Sequence, residues 1–278
     1  MKIIEELHKE DPRIIIINNN KNMGTLYSRC IGVLSTKGNY IFSLDNDDMF
    51  FDEDLFDYIY KKAKERNFDI IGFKSFIFPN YNNNLIQMEE NSLSKKPDNL
   101  VLYQPELARF PITKVGTYNH IHIWANCIKK EIYKKGVNTL GVKQYSKFIT
   151  WAEDISMVYL LFNIAKSFKF VNKFGVVHFS SKKSASYKAL LSRRMFGEIF
   201  LLNIIIDYSK NNIDKNLEIS YALHIKTINK INEFKKEKHY LYLKNTLNKI
   251  LQCKFIKEEN KQILVQSFKN FKLKYHSI

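Results

Sequence analysis

The sequence is poor in the residues that punctuate or staple a chain. Among 278 residues there are three cysteines, five prolines, nine glycines and two tryptophans. The cysteines, Cys30, Cys127 and Cys253, are isolated. That spacing excludes a disulfide framework and a cysteine-built zinc site, and it fits a reducing compartment. No apolar run reaches the ~20 residues that a membrane-spanning helix needs; the longest lies around Ile199 to Ile206. Met1 to Glu10 is charged and reads as a helix, not as a signal peptide. Acidic residues are also short, 28 against 44 Lys and Arg, for a formal charge of +16. Such a surplus attracts nucleotide phosphates, nucleic acid or an anionic membrane surface. No RRM, KH, zinc-finger or helix-turn-helix signature accompanies it, so no specific nucleic-acid readout is expected. Localisation stays open between the cytoplasm and a peripheral membrane position.

What is present is enough apolar material, 45% of residues with 14% aromatic, for a substantial core. The first third alternates helix and strand. Met1 to Lys9 is an amphipathic helix ended by Asp11-Pro12. Arg13 to Ile17 carries four isoleucines and reads as a buried strand. Thr25 to Thr36 is a helix with Leu26, Cys30, Val33 and Leu34 inward. Tyr40 to Leu44 is a strand, Asp52 to Lys64 a helix, and Asp69 to Phe78 a third strand. This alternation predicts an α/β sheet with parallel pairing. Asn80 to Lys96 is a polar loop. A strand or helix entry and then a helix fall within Tyr118 to Lys134. Trp151 to Phe168 is a helix and Phe170 to Phe179 a strand. From about Lys188 the pattern is helical, through Leu217 to Ile231, Leu243 to Leu251 and Ile263 to Phe268. Two units are expected: an α/β domain over 1–190 and a helical part over 191–278.

Chemistry concentrates where Tyr40 to Leu44 runs into Asp45-Asn46-Asp47-Asp48. Ligands of α/β sheets bind at the carboxyl ends of strands. Carboxylates packed this closely repel unless some hold protons or a cation sits among them. Oxygen donors suit Mg²⁺ or Mn²⁺, and such an ion can neutralise a leaving diphosphate. A solvated turn with Asp48 or Asp52 capping the next helix is the competing explanation. Asp52 to Asp54 fit that helix end.

The surrounding residues go further. Asn22-Met23-Gly24, Ser28-Arg29-Cys30-Ile31-Gly32 and Lys37-Gly38-Asn39-Tyr40-Ile41-Phe42-Ser43-Leu44-Asp45-Asn46-Asp47-Asp48 stand in that order. The series resembles family 2 glycosyltransferases, whose pattern is close to N-x-G, A-R-N-x-G and G-x-Y-I-x-x-L-D-x-D-D. Trp124 to Glu131 is similar to the family's W-x-K-L-x-R-x-E segment beside the acceptor. Trp151-Ala152-Glu153-Asp154 looks like its E-D motif, and Val177-His178-Phe179 with Ser184 resembles the strand and loop serine that follow. The resemblance covers about residues 1–190.

It implies a GT-A-like (Rossmann-like) mixed sheet flanked by helices, with an all-helical tail. The implied activity is inverting, metal-dependent transfer of a sugar from a nucleotide-sugar, UDP-linked among the candidates, to a glycan, lipid or protein hydroxyl. Asp45 and Asp47 would hold Mn²⁺ or Mg²⁺ and the donor. Gly24 and Arg29 would lie against the donor, His178 would be a third metal ligand, and Trp124 and Trp151 would line the acceptor site. Asp154 would be the general base. Residue chemistry alone offers plainer roles: a capping box over Thr150 to Glu153, Asp154 on the helix dipole, Arg29 as a surface cation, His178 as a packed histidine and both tryptophans as core. One departure stands out. The family opens with a strand, a helix and a second strand ending in a D-D-G-S-type segment, and nothing here corresponds to it. The strands at 14–17, 40–44 and 69–78 are therefore expected side by side with a gap or a poorly covered edge, and a non-catalytic glycosyltransferase remnant or binding protein is the alternative function.

Overall fold

The computed structural model describes residues 2–79, 89–90, 97–111, 122–180 and 191–208, with isolated helical positions between 248 and 269. The chain begins with α1 (Lys2–Glu10) and α2 (Thr25–Ser35), then β1 (Tyr40–Phe42), β2 (Met49–Phe50), α3 (Leu55–Glu65) and β3 (Ile70–Pro79). Next come β4 (Glu89–Glu90), β5 (Val101–Tyr103), α4 (Glu106–Arg109), β6 (Asn126–Lys129), α5 (Lys130–Leu140) and α6 (Val142–Tyr145). α7 (Glu153–Ile164), β7 (Ser167–Ser180) and α8 (Leu191–Tyr208) complete the described elements. Ser184 and most of the helical stretches expected after 208 lie outside the described residues.

Among the described residues the strands form one mixed sheet, ordered β1-β6-β3-β7-β2, with β4 on β3 and β5 on β7. β3 and β7 pair in parallel over their length, while β6 runs antiparallel to both β1 and β3. Alternation along β3 places Ile70 in the core on one face, and Ile71 and Phe73 in the core on the other. α2 buries Leu26, Cys30 and Val33, one stripe at helical spacing. α7 is buried from Ser156 through Phe162, so it is enclosed rather than surface-lying. α8, the first piece of the expected helical part, inserts Phe200, Leu201, Ile204 and Ile205 into the core that α7 occupies.

Three expectations need correction. The isoleucines at 14–17 form no strand: Ile15 and Ile17 are 50% and 41% exposed. β-branched residues extend a chain but make a strand only against a ladder partner. Here a cleft of about 840 Å³ lies between this segment and Tyr40 to Leu44. Second, β1 and β3 are not adjacent, because β6 separates them. β1 is left at the sheet edge, where its outer side has no strand among the described residues. Third, no capping box opens α7. Its N-cap is Ala152, in left-handed conformation with φ 57°, and no side chain caps it.

Candidate active site

The acidic segment is a tight turn at the end of β1. Asp48 N–H donates to the Asp45 carbonyl across 3.1 Å, which leaves Asp47 exposed at the tip. The Asp48 side chain is fully enclosed. Its Oδ1 accepts from Phe179 N–H at 3.0 Å, and both its oxygens lie 3.0 Å from His178 Nδ1. Asp48 therefore fastens the turn to β7 and caps no helix.

Arg29 draws the rest together. α2 anchors its backbone, and its guanidinium points across the site. Nη2 donates to Asp45 Oδ1 at 2.5 Å. Nη1 donates to Glu153 Oε1 at 3.3 Å and to Asp154 Oδ1. The strand-end turn and the first turn of α7 thus meet on one cation, the planar fork that suits carboxylates. The plain surface-cation account of Arg29 does not hold: its side chain is 15% exposed. Three carboxylates on one guanidinium leave a surplus of negative charge. Burial, reinforced by Glu153 and Asp45, pushes the Asp154 carboxyl up to about 7 against the pull of Arg29. Glu153 moves up for the same reason, burial first. Burial disfavours the Arg29 charge, but Asp154, Asp45 and Glu153 outweigh it and hold the guanidinium above its ordinary value.

Residues 2–126 match the family described as Glycosyl transferase family 2. No curated protein matches the chain in sequence. Among solved structures, that of S. aureus TarS 1-349 in complex with UDP-GlcNAc is similar at 12% identity, with a TM-score of 0.61 over 99% of this chain and 79% of that one. A longer S. aureus TarS structure gives 0.53 at 12% identity, and this chain covers 47% of it. The fold is GT-A-like, a mixed sheet with flanking helices.

Within this fold the site residues named from sequence do not all converge. Asp45, Arg29 and Asp154 do. His178 turns to Asp48 instead of to Asp45 and Asp47, and no group of three His, Cys, Asp or Glu is placed to hold a metal among the described residues. Trp124 is core: it is 3% exposed and stacks on His122 and His178 with centroids 4.5 and 5.3 Å away, so its faces are covered. Trp151 is half-buried, and its indole N–H donates to Glu198 of α8 at 3.1 Å. Gly24 has φ 87°, and a Cβ there would lie 3.1 Å from the Ile149 carbonyl. Its need for glycine is met by the chain's own backbone. The cleft beside β1 is lined by Ile15, Ile17, Val33 and Tyr40 to Leu44 and reaches Arg29. Sequence reading missed the Asp48–His178 pair, because no spacing rule links residues 130 positions apart.

That pair gives a measurable titration. Asp48 raises the His178 pKa above its ordinary 6.5, and the hydrogen bond outweighs burial. A folded value above the unfolded one stabilises fully below 6.5 and loses its contribution as pH rises through the folded value. The His178 midpoint by NMR is expected above 6.5 in the parent and to drop in Asp48→Asn. A parent midpoint at or below 6.5 would contradict the pairing.

Across the described residues no helix is long and apolar enough to cross a membrane.

Proposed function

We propose that this domain transfers a sugar from a nucleotide-sugar donor, UDP-linked in the first instance, to an acceptor hydroxyl with inversion. One observation carries the reading: a single guanidinium joins Asp45 at the end of β1 to Asp154 at the start of α7. A donor at the strand end and an acceptor near α7 would then face one another. The likeness to TarS, whose solved complex contains UDP-GlcNAc, supports a UDP-sugar as the donor to test first.

Asp154 serves as the base. It takes the proton of the acceptor hydroxyl, the oxygen bonds to the anomeric carbon, and the carbon–oxygen bond to the diphosphate breaks with its electron pair leaving on the diphosphate. Attack from the side opposite the leaving group inverts the centre. A carboxyl that titrates near neutrality is well matched to that proton transfer. Trp151 sits three residues before the base, on the acceptor side. Gly24 shapes the backbone of the loop that leads into α2, and the cleft beside β1 receives the nucleotide.

The donor set fits a hard divalent ion. Asp47 is an exposed carboxylate, and Asp45 uses Oδ1 for Arg29 while keeping a second oxygen. Mn²⁺ or Mg²⁺ held by Asp45 and Asp47 would supply charge neutralisation of the departing diphosphate. His178 lies outside that pair as placed, and Asp48 orients its ring. Calorimetry with Mn²⁺ is expected to lose most of its signal in Asp47→Ala; unchanged affinity would remove the metal role. Incubation with UDP-GlcNAc and a hydroxyl-bearing glycan, lipid or protein fraction tests transfer through UDP release and the anomeric configuration of the product. A second reading, binding without transfer, is favoured by the outer side of β1, which has no strand beside it among the described residues. Donor binding without product from any acceptor class would select it.

A further inference from the structure

We infer that Arg29 is a positioning residue that couples cation loading at Asp45 to the placement of Asp154. The inference rests on the transfer reading above, in which Asp45 is on the donor side and Asp154 is the base.

The geometry is that of a two-ended clamp. The Arg29 fork is rigid and planar, so its two terminal nitrogens cannot move independently. Nη2 holds Asp45 at 2.5 Å while Nη1 holds Glu153 and Asp154. Asp45 lies 16 positions from Arg29, and the two α7 carboxylates lie 124 and 125 positions away. The helix backbone is fixed by Leu26, Cys30 and Val33, so adjustment falls to the flexible side chain. A divalent cation arriving at Asp45 and Asp47 meets a guanidinium already bound to Asp45 Oδ1. The ion carries two positive charges, and like charges repel several-fold more strongly in a partly buried site than in water. The guanidinium yields Asp45 and transfers its whole hold to Glu153 and Asp154. Cation loading then sets the base in its final position, and the empty domain keeps its two halves tied together.

Two properties follow. Arg29 competes with the cation, and Asp154 weakens that competition because it draws Nη1 the other way. The test is a double-mutant cycle in Mn²⁺ affinity, read by calorimetry with Mn²⁺ alone and no donor. Arg29→Gln is expected to bind Mn²⁺ about tenfold more tightly than the parent, a change of ~1.4 kcal/mol at the usual conversion. Asp154→Asn in the parent is expected to weaken Mn²⁺ binding severalfold, since Arg29 then leans on Asp45. In the Arg29→Gln background the same Asp154→Asn change is expected to have little effect. Equal effects of Asp154→Asn in both backgrounds would show that Asp154 acts on the ion by charge alone and would overturn the coupling, as would unchanged or weaker Mn²⁺ binding in Arg29→Gln.

If Arg29→Gln leaves the carboxylates too poorly balanced to fold, Arg29→Lys replaces it. A single ammonium keeps the charge without the fork, and the effect of Asp154→Asn is again expected to shrink; full retention would overturn the proposal. Failure of the metal reading is separate, because it appears as unchanged Mn²⁺ affinity in Asp47→Ala.

Discussion

Asp154→Asn is expected to lower transfer by about 10²–10⁴-fold, roughly 3–5 kcal/mol of barrier, the usual loss when a general base is removed. Donor binding should fall by no more than the severalfold loss in Mn²⁺ affinity, because the substitution leaves Asp45 and Asp47 in place. Stability should change little, for a reason that lies in the cluster. The side-chain oxygen of Asn still accepts from Arg29, and one negative charge leaves a group of three carboxylates around one cation. The sign of the pH effect follows. Burial, ahead of the charges of Glu153 and Asp45, raises the folded Asp154 value from 3.8 to about 7. The folded state therefore binds the proton more tightly than the unfolded one, and this group's contribution to stability falls as pH rises from about 4 to about 7. Activity should show the opposite trend and climb as the base ionises through that value. Rate against pH and thermal unfolding against pH check both in one series. An Asp154→Asn protein that stays active refutes the base assignment, and one that unfolds shows that Asp154 is structural.

Gly197→Ala is expected to be the most damaging single-methyl change. A Cβ at Gly197 would stand 2.0 Å from the Trp151 carbonyl oxygen and 2.7 Å from its carbon. Those are backbone atoms, so no side-chain rotation relieves the clash. Overpacking of this kind costs about 1–3 kcal/mol and on occasion more. For a chain of this size each kcal/mol lowers the melting temperature by about 2–4 °C. The damage reaches the site, because Trp151 precedes Glu153 and Asp154 and its indole is held by Glu198, next to the substituted position. Melting temperature and transfer rate should fall together. Gly32→Ala is the control. Nothing lies within 4 Å of a Cβ there, and the position is inside α2, so alanine should add about 0.5–1 kcal/mol of stability. Equal melting temperatures for the two variants would deny the close approach of α8 to Trp151.

The elements that could be read from sequence are those whose signal is local. α2, α3, α7, β3 and β7 follow from apolar spacing and fall within a few residues of their expected bounds. The Asp-x-Asp turn at the end of β1 could be read because a strand, a turn and acidic residues stand together. What could not be read depends on partners distant in sequence. The isoleucines at 14–17 carry strong β propensity, yet propensity cannot supply the neighbour that makes a strand. Trp124 looks like a surface stacking residue until His122 and His178 are seen to cover it. The four-residue pattern at 150–153 matches a capping box, but the backbone turns left-handed at Ala152 and Glu153 goes to Arg29. The family resemblance sets Arg29 and Asp45 against one donor, but nothing in the sequence signals the reach of Arg29 to Asp154, since helix spacing says nothing about what lies across a cleft.

The attachment of the acidic turn has a bearing on how the chain acquires its shape. The contacts that hold the turn come from Arg29 close by and from His178 and Phe179, 130 and 131 positions after Asp48. Arg29 is in turn steadied by Glu153 and Asp154, 124 and 125 positions after it. Loop closures of that length bring a large entropic penalty before any contact rewards them, and non-local pairing of this kind slows folding. During synthesis the turn can be locked only after β7 has left the ribosome. The acidic turn should thus be among the last parts of the domain to become protected from hydrogen exchange, well after the local helices α2 and α3.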